Sequence, residues 1–462
     1  MKTKGMTQGG THPDRSTQRV FLIEVGNVRT NVVRLWPSKK QHKILKKFAN
    51  TCAKLWNEIN YERRQQFFNG QKVDFVGTWQ KYYEKYKHIL KVSTQAVLQM
   101  NNEAWRSFFE LLRLKKEGKL PPFMKKISPP GYWKNREFGK RELILVIRQD
   151  RYYVDIRNKV IVLKDWGLKI SFSGKLRWAG KQGRLVIKFI NGTWYAYIPV
   201  YVGEKPKKSN PKGYIHGELN KTQLFNPKGN LDVAIDPGLN NLFTVVTSNG
   251  DVFIYRGRVI KSEYFYWMNE ISTVQSIRDW LRKKLPNSSW IWFYTKEILR
   301  LYELLSRRIT HLCRNAISHL AKLLWELGVR RVFIGYPKGV VQENGNVYTV
   351  NMWRYRWIIF ELARALRLYG IKTYAYIEYE SSITCSRCGN IDFNSRIFRG
   401  LYKCRKCGLT INADVNAALN ILKACTGKIP KTLKKIKTFI ITHNGVKPII
   451  PHQRDNSHRP RE

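Results

Sequence analysis

Residues 384–422 read TCSRCGNIDFNSRIFRGLYKCRKCGLTINADVNAALNIL, and two cysteine pairs decide how the last third of the chain folds. Cys385-Ser-Arg-Cys388 and Cys404-Arg-Lys-Cys407 stand fifteen residues apart, the C-x2-C-x15-C-x2-C spacing of a four-thiolate zinc ribbon. Each C-x2-C pair sets two sulfurs on one side of a tight turn. Gly389 and Gly408 follow the second cysteine of each pair, where the turn needs a positive φ. Two such pairs close a tetrahedron with no open position, so Zn2+ is expected here as a structural ion and not a catalytic one. A redox dithiol or a chance pairing competes poorly with this spacing. The chain has seven cysteines, an odd number with four clustered, which points to a metal site in a reducing compartment and not to a disulfide framework. Arg387, Arg396, Arg399, Arg405 and Lys406 around the ribbon suggest contact with phosphates.

Working outward, acidic residues stand out because there are only 33 of them against 84 Lys and Arg. Asp414, in INADVNAALNIL, sits at or just before a helix start, where N-capping is the plain alternative to a metal role. Asp236 ends an apolar strand in VAIDPGLNN. A carboxylate at a strand end, backed by a buried sheet, can hold a hydrated divalent metal, although a turn Asp before Pro-Gly is equally ordinary. Asp232 reads as a strand-edge residue. Glu378 and Glu380 share one strand face in YIEYESSITC, and salt bridging to a local Arg is the default for at least one of them.

The net charge of +51 on 462 residues predicts a large polyanionic partner, nucleic acid before an anionic membrane, because the charge runs the whole length. Hydrophobic residues at 43% exclude a mostly disordered basic chain. No run approaches the roughly 18 apolar residues of a transmembrane helix. The polar, Gly-rich start MKTKGMTQGG is unlike a secretory signal, so an intracellular, cytoplasmic and nucleoid-associated protein is expected.

Residues 19–36 read as one or two strands, and Pro37–Ser38 opens a helix whose apolar stripe includes Cys52 as a core thiol. Ser93 is the expected N-cap of a helix burying Ala96, Met100, Trp105, Phe108, Phe109 and Leu112. Between them WQKYYEKYKH (79–88) suits either base stacking or a wet basic helix face. Residues 141–202 predict a small β-barrel or sheet, with a hairpin at Asn191–Gly192. From 231 the pattern turns α/β, with a long helix over roughly 290–327.

The segments DVAIDPGLNNLFTVV and TCSRCG…YKCRKCGLTINADVNAALNIL together resemble the TnpB proteins of insertion sequences, RNA-guided DNA nucleases related to compact type V CRISPR effectors. The resemblance implies a multidomain α+β architecture. A flexible arm (1–18) precedes a wedge β-barrel split over 19–38 and 131–205, with a helical recognition domain (39–130) inserted. A linker (206–230) leads to an RNase H-like α/β RuvC domain (231–380 and 412–426) carrying the zinc ribbon (381–411), and a basic tail (427–462) closes the chain. Implied partners are a guide RNA and target DNA, with no membrane and a monomer favoured. Implied chemistry is metal-dependent endodeoxyribonuclease action at one RuvC site with Mg2+, held by Asp236, Glu378 and Asp414.

One position departs from the family pattern. The family places a Glu at the end of the strand that here reads RRVFIGYPKG, and the matching residue is Gly335. Either a replacement Glu stands on the strand before the ribbon, with Glu378 the first choice, Glu380 the second and Glu343 a weaker third, or the protein is a nuclease-dead RNA-guided DNA-binding repressor. An unguided zinc-ribbon nucleic-acid binder is the remaining alternative. Arg307, Arg308 and Arg314 would hold the substrate strand, each with a solvated helix face as its ordinary reading. His319 reads as a packed histidine before a catalytic base.

Overall fold

The computed structural model describes residues 20–120, 124, 126–134, 141–204, 212–217, 225–336, 354–377, 381–398 and 400–449. The chain divides into two compact units, Val25–Asn226 and the remainder. No helix among the described residues is long and apolar enough to cross a membrane.

The first described strand, β1 (Val20–Leu22), belongs to the second unit. The first unit opens with β2 (Val28–Trp36), then α1 (Lys39–Phe68), α2 (Phe75–Leu90) and α3 (Val92–Lys116). Strands β3 (Ile144–Ile147), β4 (Tyr152–Asp155), β5 (Val160–Leu163), β6 (Leu168–Ser173), β7 (Gly180–Gln182), β8 (Leu185–Ile190), β9 (Thr193–Tyr201) and β10 (Tyr214–Ile215) follow. They form an antiparallel sheet in the order β10-β7-β9-β2-β6-β5-β4, with β8 also on β9 and β3 on β8. Asn191 and Gly192, at φ 48° and 80°, make the two-residue turn between β8 and β9.

Helix α1 starts on a reciprocal cap. The Gln41 amide donates to Ser38 Oγ, and the Ser38 amide donates to Gln41 Oε1. Ser93 is not a cap. It lies buried inside α3, because the chain turns from α2 into α3 at one residue, Lys91, with φ 51°. In α2, Tyr82 and Tyr86 are buried and donate to Glu62 and Glu58, so two of the WQKYYEKYKH aromatics are structural. Cys52 is fully buried, and burial pushes its thiol up to about 12.

The second unit contains β11 (Leu231–Asp236), β12 (Asn241–Thr247), β13 (Val252–Arg256), α4 (Arg258–Lys284), α5 (Trp290–Glu326), β14 (Val329–Tyr336), α6 (Tyr355–Leu368) and β15 (Lys372–Ile377). A small sheet of β16 (Arg396–Phe398), β17 (Leu401–Lys403) and β18 (Thr410–Asn412) precedes α7 (Ala413–Thr426), β19 (Ile436–Thr442) and β20 (Gly445–Pro448). The main sheet runs β1-β15-β14-β11-β12-β13-β19-β20. Strands β11, β14 and β15 are parallel, and β12 is antiparallel between β11 and β13. Helix α7 lies across this sheet. Its Val415, Ala418, Leu419 and Leu422 pack on Ala234, Val246, Phe333 and Tyr376.

Four features differ from the sequence reading. Val20–Leu22 pairs with β15, covering an edge that would otherwise be open, and so falls in the second unit. Within the expected linker, Tyr214–Ile215 pairs with β7. Helix α4 had no recognised pattern, because its buried residues are sparse: Ile260, Tyr264, Ile271 and Leu281. The segment expected only as a basic tail supplies β19 and β20. Phe439 and Ile441 alternate inward from a strand that pairs with β13, hidden in the sequence by flanking lysines.

Candidate metal centre and carboxylate edge

The two cysteine pairs fold as matched knuckles. Gly389 N–H donates to the Cys385 carbonyl at 2.9 Å and Gly408 N–H to the Cys404 carbonyl at 3.0 Å. Both glycines have positive φ, 74° and 70°, as the spacing required. The Cys385 amide in turn donates to Asn390 O, and the Cys404 amide to Leu409 O.

The four Sγ atoms lie within 4.8 Å of one another. Two of the pairs, Cys385–Cys407 and Cys388–Cys404, stand at 3.6 Å. Zinc–sulfur bonds of about 2.3 Å set tetrahedral sulfurs about 3.8 Å apart, so the donor set fits that ion. Backbone N–H groups of Cys407 and Lys406 lower the Cys404 thiol, whereas burial raises that of Cys385. Beneath the knuckles Tyr402 and Ala413 pack with Cys385 and Cys404 in a small core.

Two asparagines that the sequence reading passed over fasten this ribbon to α7. Asn416, fully buried, accepts from the Ser386 amide at 3.0 Å and donates to Thr384 O at 2.8 Å. One turn on, Asn420 donates to Ser381 O and Thr384 O at 2.8 and 2.7 Å. The signal was present in VNAALNIL: two polar residues at i and i+4 inside an otherwise apolar helix.

Asp414 occupies the first turn of α7, but it is not the cap. Asn412 is the cap, and its side chain accepts from the Asp414 and Val415 amides. The Asp414 carboxylate is freed for other partners. Asn241 Nδ2 donates to its Oδ2 at 2.8 Å, and Arg396 Nη2 of the ribbon lies 3.3 Å from its Oδ1.

Asp236 ends β11 opposite Thr244 of β12. Alternation places its side chain on the same sheet face as Ala234, the face that α7 covers. Asn241, which starts β12 just beyond that pair, reaches Asp414 on the same face. The fold therefore brings Asp236 and Asp414 to one edge of one sheet face. Thr244, directly across from Asp236, keeps a buried hydroxyl with no hydrogen-bond partner among the described residues. Gly238 makes the turn: a Cβ there would sit 2.8 Å from Asn241 O.

Gly335 is the penultimate residue of β14, one step beyond the Ile235–Ile334 pair of β11 and β14 and two residues after Phe333, which packs on α7. It offers no side chain on that face. Glu378, Glu380, Glu343 and Arg399 lie outside the described residues. Asp232 is the bidentate partner of Arg331 at 2.6 and 2.7 Å.

The three helix arginines are engaged within the chain: Arg307 with Glu303, Arg308 with Glu263 and Arg314 with Glu361. His319 is bonded to the Tyr255 hydroxyl at 2.8 Å, and burial lowers its pKa, as a packed histidine requires.

These elements fall inside two family matches. The OrfB_IS605 family, described as a probable transposase, matches residues 218–341, and the Cas12f1-like TNB domain matches residues 356–421. Strands β11 to β14 and the four-cysteine ribbon lie within these two matched segments. TnpB-like protein ORF457 of Acidianus two-tailed virus is 45% identical over 433 residues, covering 93% of this chain and 94% of that protein. The chain belongs to the TnpB-like family.

The CRISPR-associated endodeoxyribonuclease Cas12f1 of Sulfoacidibacillus thermotolerans is 50% identical over 52 residues, 11% of this chain and 12% of that one. A chain in a cryo-EM structure of a Cas12f1–sgRNA–target DNA complex aligns with a TM-score of 0.49 at 16% identity, over 82% of this chain and 81% of that one.

Proposed function

We propose that the chain is an RNA-guided DNA endonuclease of a mobile element, cutting phosphodiesters at one RuvC site in the second unit. What supports this reading is that Asp236 ends β11 on the sheet face that α7 covers, while Asp414 in the first turn of α7 accepts from Asn241 at the start of β12. The strand order β13-β12-β11-β14-β15, three antiparallel strands and then two parallel ones, is the layout an RNase H-like domain requires. The antiparallel sheet of the first unit and its helices supply the wedge and recognition parts of the same reading.

Mg2+ would be held by Asp236, Asp414 and Glu378. The donor set suits it: hard carboxylate oxygens, with the unpartnered Thr244 hydroxyl behind them. Glu378 directly follows Ile377, the last residue of β15, and stands two residues after Tyr376, which packs on α7. When bound, such an ion supplies an activated water and charge neutralisation at the scissile phosphate. Asn241 orients Asp414 by its 2.8 Å bond, and the cap on Asn412 fixes the helix turn that carries it. Arg396, 3.3 Å from Asp414, is a cation from which a phosphate oxygen could be held. The zinc ribbon keeps α7 in place through Asn416 and Asn420. The diffuse +51 charge fits a protein that grips guide and target by backbone while base pairing selects sequence.

Plasmid cleavage in Mg2+ by protein loaded with its copurified RNA tests the reading. Activity is expected in the wild type and lost in Asp236→Asn, Asp414→Asn and Glu378→Gln. Loss in Glu380→Gln with retention in Glu378→Gln reassigns the third ligand. Gly335 favours a second reading, a guided repressor without cleavage, because the strand beside Asp236 ends without a carboxylate. Guide-dependent DNA binding by a wild type that leaves the plasmid intact would establish that reading instead.

A further inference from the structure

Helices α4 and α5 form an antiparallel hairpin. Glu263 pairs with Arg308 at 2.7 Å near its base, and Gln275 reaches the Tyr302 hydroxyl at 3.4 Å further along. At a rise of about 1.5 Å per residue, the far end of α4 lies about 40 Å along the helix from the sheet.

That end is unusually aromatic and open. Trp280, Trp290, Trp292 and Phe293 are 57%, 59%, 58% and 51% exposed. Rings of this size this far from a core are normally buried, and a contiguous exposed set marks an interaction surface. Trp290, Phe293 and Tyr294 touch one another edge-on at 5.5 Å between successive centroids.

The charge around them is one-sided. Residues 278–300 carry six Lys or Arg against two acids. Both acids are taken up locally, Asp279 by Arg278 at 2.8 Å and Glu297 by Arg300 at 2.6 Å. Lys283, Lys284 and Lys296 have no carboxylate partner among the described residues. Lys296 sits over the Trp292 ring at 3.5 Å.

We infer that this hairpin tip is a binding platform for single-stranded nucleic acid, its exposed rings stacking on unpaired bases and its lysines on the flanking phosphates. The inference rests on the nucleic-acid reading above and adds a second contact region, remote from the carboxylate edge. Exposed rings beside unpaired lysines match a chain that offers both π faces and phosphates, which a single strand does and a closed duplex does not. A second copy of this chain is a poor occupant, since it would bring another +51 and the same lysines face to face.

The test uses the full chain, a fluorescein-labelled dT20 strand, a 20-base-pair duplex and phosphatidylserine vesicles. Trp290→Ala, Trp292→Ala and Phe293→Ala are combined in one variant, and Lys283→Gln, Lys284→Gln and Lys296→Gln in another. The aromatic variant is expected to weaken dT20 binding at least tenfold and duplex binding less than twofold, at an unchanged melting temperature. The lysine variant is expected to lower the log–log salt slope for dT20 by about 2, at roughly 0.7 per phosphate contact; it carries the test if the aromatic variant does not fold. Affinity for dT20 within twofold of wild type overturns the inference. So does equal loss of strand and duplex, or loss of vesicle binding with dT20 binding kept. A wild type that binds neither strand nor duplex overturns the nucleic-acid reading itself, a different result from an indifferent tip.

Discussion

At the scale of single residues, side-chain amides do much of the positioning. Asn412, Asn416, Asn420 and Asn241 between them cap α7, tie it to the first knuckle and hold Asp414. Asn416→Ala leaves the Ser386 amide and the Thr384 carbonyl with fewer partners in a buried setting. It is expected to lower stability by about 1–3 kcal/mol and to speed loss of zinc to a chelator, read by a colorimetric zinc-release assay. A second residue-scale expectation concerns Glu263. Its hydrogen bonds to Arg308 and then to His443 hold its carboxyl down at about 2, from an ordinary 4.5. A depressed carboxyl stabilises the fold above its ordinary value, and that contribution is lost as pH falls from about 4.5 through 2. Melting temperature between pH 5 and 2 should therefore fall more steeply in the wild type than in Glu263→Gln.

At the scale of elements, the β19–β20 hairpin is bound on two sides. Phe439 stacks on Tyr255 at 4.9 Å between centroids, and the turn residue His443 meets Glu263 of α4 at 2.8 Å and accepts through its carbonyl from Asn315 of α5. Phe439→Ala is expected to destabilise the second unit by about 3 kcal/mol, measured by urea denaturation. The ribbon and α7 behave as one element as well. Chelation of zinc should raise protease cleavage within 381–412 and, through the Asn416 and Asn420 bonds, loosen the turn that carries Asp414. Hydrogen exchange at the Asp414 and Val415 amides, both donors to the cap, reads that coupling directly.

At the scale of the whole molecule, the charge of +51 governs how it meets its partners. Binding to nucleic acid should weaken steeply with salt, by about a thousandfold between 50 and 200 mM if six phosphates are neutralised. Fluorescence anisotropy across a salt series measures the slope, and a flat line would remove polyanion binding as the purpose of the charge. Two kinds of information built this protein. The sequence by itself determined the four-cysteine cluster, because C-x2-C spacing and the glycines behind it are local geometry that no distant contact needs to complete. It also determined the hairpin at Asn191–Gly192, the long α5 and the strand ending at Asp236, all written in short-range periodicity and turn chemistry. Only the tertiary structure decided that β1 closes the edge of β15, that the basic tail becomes two strands, and that Asn241 and Asp414, far apart along the chain, share a hydrogen bond. Those contacts depend on partners distant in sequence, and edge pairing or a single amide bond leaves no periodic mark in the residues that make it.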